Sequence, residues 1–172
     1  MSYSKNKIIF QDEVEPNEPY MWRTGRPVGS LFGYVADGFY QKEDFTEKGQ
    51  LVEHLPNPGV IVKPGDVKYQ DLNGDKVIDS DDITMIGHST RPAYTFGLNY
   101  GASYKGFFIN MNWTGAAQRS LLLDGAFREP FGNGKIRGLM QFHADTRWTP
   151  ETAHSATTPR FTETNSAYNM RT

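Results

Sequence analysis

The residues best spaced for chemistry run from Asp71 to Asp82, Asp-Leu-Asn-Gly-Asp-Lys-Val-Ile-Asp-Ser-Asp-Asp. Oxygen-bearing side chains stand at positions 1, 3, 5, 9 and 12 of the run, with Ile78 at position 8, which is the spacing of a calcium loop. Calcium takes about six to eight hard oxygen ligands. Asp71, Asn73 and Asp75 would supply one face, Val77 its carbonyl, Asp82 the closing carboxylate, and Asp79 an oxygen directly or through water. Lys76 stands where glycine usually makes the tight turn, and Asp82 where a longer glutamate usually binds through both oxygens; both departures weaken the site. The expected role is a structural calcium ion pinning a loop, and the alternative is a metal-free turn of the same spelling. A glycosidase pair among Asp79, Asp81 and Asp82 is disfavoured, because such carboxylates face each other across a sugar at roughly 5 to 9.5 Å and sequence neighbours rarely do. His54, His88, His143 and His154 show no metal-binding spacing, and neither a nucleophile elbow nor a phosphate-binding glycine loop occurs. No enzyme is expected.

The elements that must carry this loop are strands. Glycine (17), proline (10), tyrosine (9) and phenylalanine (11) are abundant, which suits short strands, turns and long loops better than helices. A hydrophobic fraction of 37% and a mean hydropathy of -0.61 are low for a compact globule. With a net charge of -2 and scattered Lys and Arg, nothing would neutralise a row of phosphates, so no nucleic-acid partner is expected. Cysteine is absent, which removes disulfides and thiolate metal sites. No apolar run approaches the roughly 20 residues of a membrane helix. Residues 1–10 lack a signal-peptide core, so an exported form is expected to start upstream.

Along the chain, Ile8-Ile9-Phe10 is expected to end a strand, and Gln11 to Pro19 to be loop. Leu31 to Tyr40 reads as a short hairpin turning at Ala36-Asp37-Gly38, and Gln41 to Pro64 as loop with at most a short helix. Ile136, Leu139, Met140 and His143 follow a helical spacing.

The strongest periodicity lies between Tyr94 and Trp113. Tyr94, Phe96, Leu98, Tyr100, Ala102 and Tyr104 alternate with Thr95, Gly97, Asn99, Gly101 and Ser103. Side chains of a strand alternate between faces, so one face is apolar and the other small and polar. After Lys105-Gly106 the pattern resumes, with Phe107, Ile109, Met111 and Trp113 on one face and Phe108, Asn110, Asn112 and Thr114 on the other. The eleven residues from Tyr94 to Tyr104, tilted by about 40°, rise on the order of 27 Å, the height of the apolar band a barrel strand must cross. Lys105, at the turn, is the sole charged residue from Ala93 to Gln118. In lipid a mid-strand Lys or Arg costs roughly 2 to 4 kcal/mol, which explains that exclusion if the apolar face meets a membrane. Aromatic residues at the strand ends would form an interfacial girdle. Two strands cannot seal their edges in lipid, and the smallest single-chain barrels have about eight, so the hairpin is expected to belong to something longer.

Around the hairpin stand further segments in order: Gly33-Tyr34-Val35-Ala36-Asp37-Gly38-Phe39, then Pro64-Gly65-Asp66-Val67-Lys68-Tyr69 leading into the acidic loop, then Ile86-Gly87, Pro92, Tyr104-Lys105-Gly106-Phe107 and Arg147-Trp148-Thr149-Pro150-Glu151. This series, which covers most of Gly33 to Pro150, resembles the carboxyl-terminal part of SusC/RagA-type TonB-linked outer-membrane proteins. The resemblance implies an all-β fold: a partial transmembrane antiparallel β-barrel, part of a barrel of about 22 strands, with long extracellular loops. It implies import of glycans or peptides across the outer membrane of a Gram-negative, Bacteroidetes-like cell. The TonB system would act through an amino-terminal part, and a SusD-like surface lipoprotein would form the lid. On that reading residues 1–172 form one incomplete barrel region. Residues 11–91 and 116–172 are extracellular loops, 92–115 the transmembrane hairpin in outer-membrane lipid, and Lys105-Gly106 a periplasmic turn. The competing expectation is a soluble calcium-stabilised module, dockerin-like or carbohydrate-binding, although a dockerin would normally carry a second acidic loop.

Overall fold

The computed structural model describes residues 1–123, 127, 130–131, 138–162 and 168–170. The described residues are all-β in character: seven antiparallel strands and one short α-helix, with 3-10 turns at Pro19–Met21, Lys42–Asp44, Ser80–Asp82 and Tyr168–Met170. The strands are β1 (Ser2–Tyr3), β2 (Ser30–Gly33), β3 (Ala36–Phe39), β4 (Val67–Tyr69), β5 (Thr84–Ser89), β6 (Tyr94–Tyr104) and β7 (Phe107–Ala117); the helix is α1 (Gln141–Thr146). They form a sheet in the order β1-β6-β7 and two pairs, β2-β5 and β3-β4, with no closed barrel among the described residues. The chain divides into two compact units.

The first unit comprises Met1–Pro16, Trp22–Leu31 and Gly87–Leu122. Its sheet pairs β6 with β7 without a slip from Tyr94↔Ala117 to Tyr104↔Phe107. The turn needs two residues that tolerate left-handed backbone: Lys105 has φ 46° and Gly106 φ 85°, the requirement of a type I′ turn whose twist matches the strands it joins. The two-residue turn expected at Lys105-Gly106 is present, and both of its residues take left-handed backbone. β1 joins the other edge of β6, with Ser2 opposite Thr95 and Tyr3 opposite Tyr94, the two tyrosine rings stacked at 4.6 Å. The strand expected at Ile8–Phe10 is therefore at Ser2–Tyr3. Ile8 instead hydrogen-bonds Arg26 and Gly25, while Ile9 and Phe10 are exposed.

The second unit comprises Asn17–Met21, Phe32–Ile86 and Leu123–Thr172. Its core gathers Tyr40, Val62, Val67, Tyr69, Ile78 and Tyr168, with Tyr34, Phe39, Phe45, Leu51 and Leu55 against it. The hairpin expected over Leu31–Tyr40 does not form. β2 pairs with β5 and β3 with β4, and Ala36-Asp37-Gly38 lies inside β3 at an irregularity in the ladder, with Gly38 at φ 88°. Long-range partners outcompete the local turn because β4 offers buried Val67 and Tyr69. The loop expected at Gln41–Pro64 holds the 3-10 turn at Lys42–Asp44, where the Asp44 carboxylate accepts the Gln41 N–H at 2.8 Å, and isolated bridges from Phe45 to Leu51 and from Asn57 to Val77. Helix α1 contains His143 of the expected helical stripe, with Leu139 and Met140 just before it; Ile136 lies outside the described residues.

Candidate functional site

The β6–β7 register sorts side chains by chemistry. On one face Leu98 stands opposite Trp113, Tyr100 opposite Met111, Ala102 opposite Ile109 and Tyr104 opposite Phe107; on the other Gly97 faces Thr114 and Asn99 faces Asn112. A one-residue slip would mix the faces, so the sequence pattern and the pairing specify each other. Gly115 lies beneath the Phe96 ring, where any Cβ would collide, so an aromatic side chain covers the glycine across the strands. The apolar face is uncovered within this unit: Leu98 is 57% exposed, Trp113 50% and Phe107 83%. Phe108, on the polar face, is 80% exposed beside the turn. An apolar face of this extent marks a surface made to contact something other than water.

The acidic segment is a closed turn. The Asp71 carboxylate accepts the N–H of Gly74 at 2.6 Å and of Lys76 at 2.8 Å, Asn73 Oδ1 accepts from Asp75 N–H at 3.0 Å, and Asp75 Oδ1 accepts from Val77 N–H at 2.7 Å. Asp82 is fully buried, its two oxygens accepting from Leu72 N–H at 2.7 Å and Asp79 N–H at 3.0 Å, while Asp79 accepts from Asp81 N–H at 2.8 Å. Lys76, where glycine is usual, takes φ 65°, the left-handed conformation that the sixth position of a calcium loop demands. Ile78 is buried in the core, and Asn57 brackets the loop by donating to Lys76 O at 2.8 Å and accepting from Ile78 N–H at 2.9 Å. Tyr20 donates its hydroxyl to Asp81 O at 2.6 Å, and Asn17 Nδ2 donates to the Asp81 carboxylate at 2.8 Å. Burial, then the charges of Glu18, Asp82, Asp81 and Asp71, push the Tyr20 hydroxyl above its ordinary pKa.

The donor set is all oxygen, as calcium requires, and each engaged carboxylate oxygen keeps a second lone pair. Among the described residues, however, no group of three or more His, Asp or Glu side chains is gathered as a metal would gather it. Asp71, Asn73, Asp75, Asp79 and Asp82 share one loop with Val77, but the side-chain oxygens of these five accept from backbone N–H groups, that of Val77 among them.

Two segments singled out separately in the sequence meet in the second unit. Gly65, at φ 88°, packs against the indole of Trp148, whose Cδ2 would lie 2.8 Å from a Cβ at that position. Asp66 is fully buried and accepts from Arg160 Nε at 2.7 Å, Lys63 N–H at 2.9 Å and Asn169 Nδ2 at 3.1 Å. Asn169 Oδ1 in turn accepts the Val67 N–H at 2.9 Å, and Tyr69 donates its hydroxyl to Tyr168 O at 2.8 Å. The chain after the hairpin is thus bolted to the chain before it by one buried carboxylate. Asp66 carried no signal as a structural centre beyond its place after a proline and a glycine. Of the histidines, His143 is buried with Nε2 3.0 Å from Phe127 O, and His54, His88 and His154 are exposed.

No protein-family model matches the chain. A curated TonB-dependent receptor of Formosa agariphila is 24% identical over 139 residues, which cover 63% of this chain and 13% of that protein. The chain thus spans a small part of the length of that relative, and it is similar there to a receptor of the TonB-dependent class.

Proposed function

We propose that this chain is part of a SusC-like, TonB-dependent importer of glycans or oligopeptides, in which β6 and β7 are neighbouring strands of a transmembrane barrel. The observation that carries the reading is the two-faced hairpin: eleven-residue strands without a charge, in a register that collects every large side chain except Phe108 on one exposed face. β1 fits as the strand before β6 in an up-and-down antiparallel order. The short Lys105-Gly106 turn suits a periplasmic end, and the long segments at the opposite end suit extracellular loops. A SusD-like lipoprotein would meet those loops, and TonB would act on the importer through a plug. Transport needs no covalent chemistry from these residues. The similarity to a TonB-dependent receptor and the ordered motifs support the reading.

For the Asp71–Asp82 loop we propose a structural calcium ion held by Asp71, Asn73, Asp75, the Val77 carbonyl, Asp79 and Asp82. The oxygen spacing and the left-handed Lys76 support it, and binding would turn side-chain oxygens from backbone N–H groups toward the ion. Calorimetry at millimolar calcium would show heat that Asp75→Ala abolishes; no heat would remove the ion.

Detergent phase separation tests the membrane reading: the chain is expected in the detergent phase, and a monodisperse, detergent-free monomer would contradict it. Disruption of the encoding gene tests transport. Growth on one class of complex glycan or on oligopeptides should be lost, and unchanged growth on both would contradict the proposed cargo.

A further inference from the structure

The first unit is chemically asymmetric along its strands. At one end stands the Lys105-Gly106 turn; at the other, β1 and β7 finish and β6 begins. Ser4 N–H donates to Ala93 O at 2.8 Å and Ala93 N–H to Gln118 O at 3.3 Å, which sets Lys5, Arg91 and Arg119 across neighbouring strand ends. Ile8 pairs with Gly25 and Arg26, bringing Lys7, Arg23 and Arg26 to the same region. Lys5, Lys7, Arg91 and Arg119 are exposed, and none has an ion-pair partner among the described residues. The acidic residues of this unit are Asp12, Glu13 and Glu15. Glu13 is engaged locally, accepting from the Thr24 hydroxyl at 2.6 Å and from the N–H groups of Thr24 at 2.8 Å and Arg23 at 3.1 Å.

We propose that this end of the sheet is a binding surface for the phosphate-bearing, anionic headgroups of a lipid leaflet. The inference rests on the membrane reading of the hairpin and adds to it which lipid chemistry meets the loop end. Tyr3 and Tyr94 close the apolar face there. Basic side chains just beyond such a face keep their alkyl stems on apolar surface and their charges at headgroup level. Each Lys or Arg so placed strengthens binding to an anionic surface by about fivefold, an effect confined to roughly a Debye length and weakened by salt. The juxtaposition with the apolar sheet favours lipid over an acidic protein or a nucleic acid, whose docking would not need that adjoining face.

The test uses the full chain diluted from detergent into vesicles of phosphatidylcholine, alone or with phosphatidylglycerol added, with binding read by flotation at low and high salt. The expected result is binding to both vesicles, tighter by about tenfold or more on the anionic ones at low salt, an advantage that high salt erodes. A variant carrying Lys5→Gln, Lys7→Gln, Arg91→Gln and Arg119→Gln should lose that advantage and still bind phosphatidylcholine. An advantage that survives in the variant, or is absent from the parent chain, would overturn the basic surface. Failure to bind phosphatidylcholine at all would instead overturn the apolar face, and this inference with it.

Discussion

Leu98 sits next to the midpoint of β6, opposite Trp113 on the apolar face and 57% exposed, while its neighbour Asn99 faces Asn112 on the other. Replacing either by arginine changes little in water, where an exposed strand position tolerates substitution within about 0.5 kcal/mol, roughly a factor of two. In a bilayer the two substitutions part company. Arg at the depth of Leu98 meets hydrocarbon and costs about 2 to 4 kcal/mol, which lowers membrane partitioning by about thirtyfold to nearly a thousandfold. Asn99→Arg points its charge to the opposite, polar face and should cost less than about 1 kcal/mol, as lumen-facing positions do. Partitioning of each variant between buffer and phospholipid vesicles, measured by flotation, reads the ratio directly. Equal partitioning of Leu98→Arg and Asn99→Arg would refute the assignment of the two faces.

Three further outcomes follow from local geometry. Arg160→Met removes the Arg160 guanidinium from the buried Asp66 carboxylate and should destabilise the second unit by about 3 kcal/mol, read as a shift in the denaturation midpoint followed by Trp148 fluorescence; no shift would show that the other contacts of Asp66 suffice. Lys105→Asn, which relieves a left-handed lysine in the type I′ turn, should stabilise the hairpin by about 0.5 kcal/mol in the same kind of measurement, whereas Gly106→Ala should destabilise it by about 1 kcal/mol. The hydroxyl of Thr24, followed by the backbone N–H groups of Thr24 and Arg23, holds the Glu13 carboxyl below its ordinary pKa. Its contribution is therefore present above the ordinary glutamate range and is lost as pH falls through the lowered value. An NMR titration should find that midpoint depressed and Thr24→Val should raise it; an unmoved midpoint would break the link to Thr24.

How much of this was legible in the sequence depends on the distance over which each feature is decided. The β6–β7 hairpin is readable because its alternation, its lack of charge and its two-residue turn all lie within one stretch of chain. Leu31–Tyr40 was misread because Gly38 resembles turn chemistry, while the deciding partners β4 and β5 arrive more than 25 residues later. Ile8-Ile9-Phe10 looked like strand for its apolar content, yet the edge of β6 is taken by Ser2–Tyr3. The acidic loop was visible as a spacing, and the left-handed backbone at Lys76 agrees with it, but the direction of each carboxylate depends on backbone N–H groups that spacing does not reveal. The contacts of Gly65 with Trp148 and Asp66 with Arg160 join residues more than 80 positions apart, beyond the reach of any periodicity.

A transmembrane hairpin requires one particular face of β6, that of Leu98, to meet lipid. The chain has no cysteine, so each of Phe96, Gly97, Leu98, Asn99, Tyr100 and Gly101 can be replaced singly by a unique thiol and tested in membranes with a water-soluble maleimide. Labelling should alternate: Gly97, Asn99 and Gly101 positions reactive, and Phe96, Leu98 and Tyr100 positions protected until detergent is added. Uniform reactivity along the strand, or protection on the Asn99 face, would contradict the membrane wall.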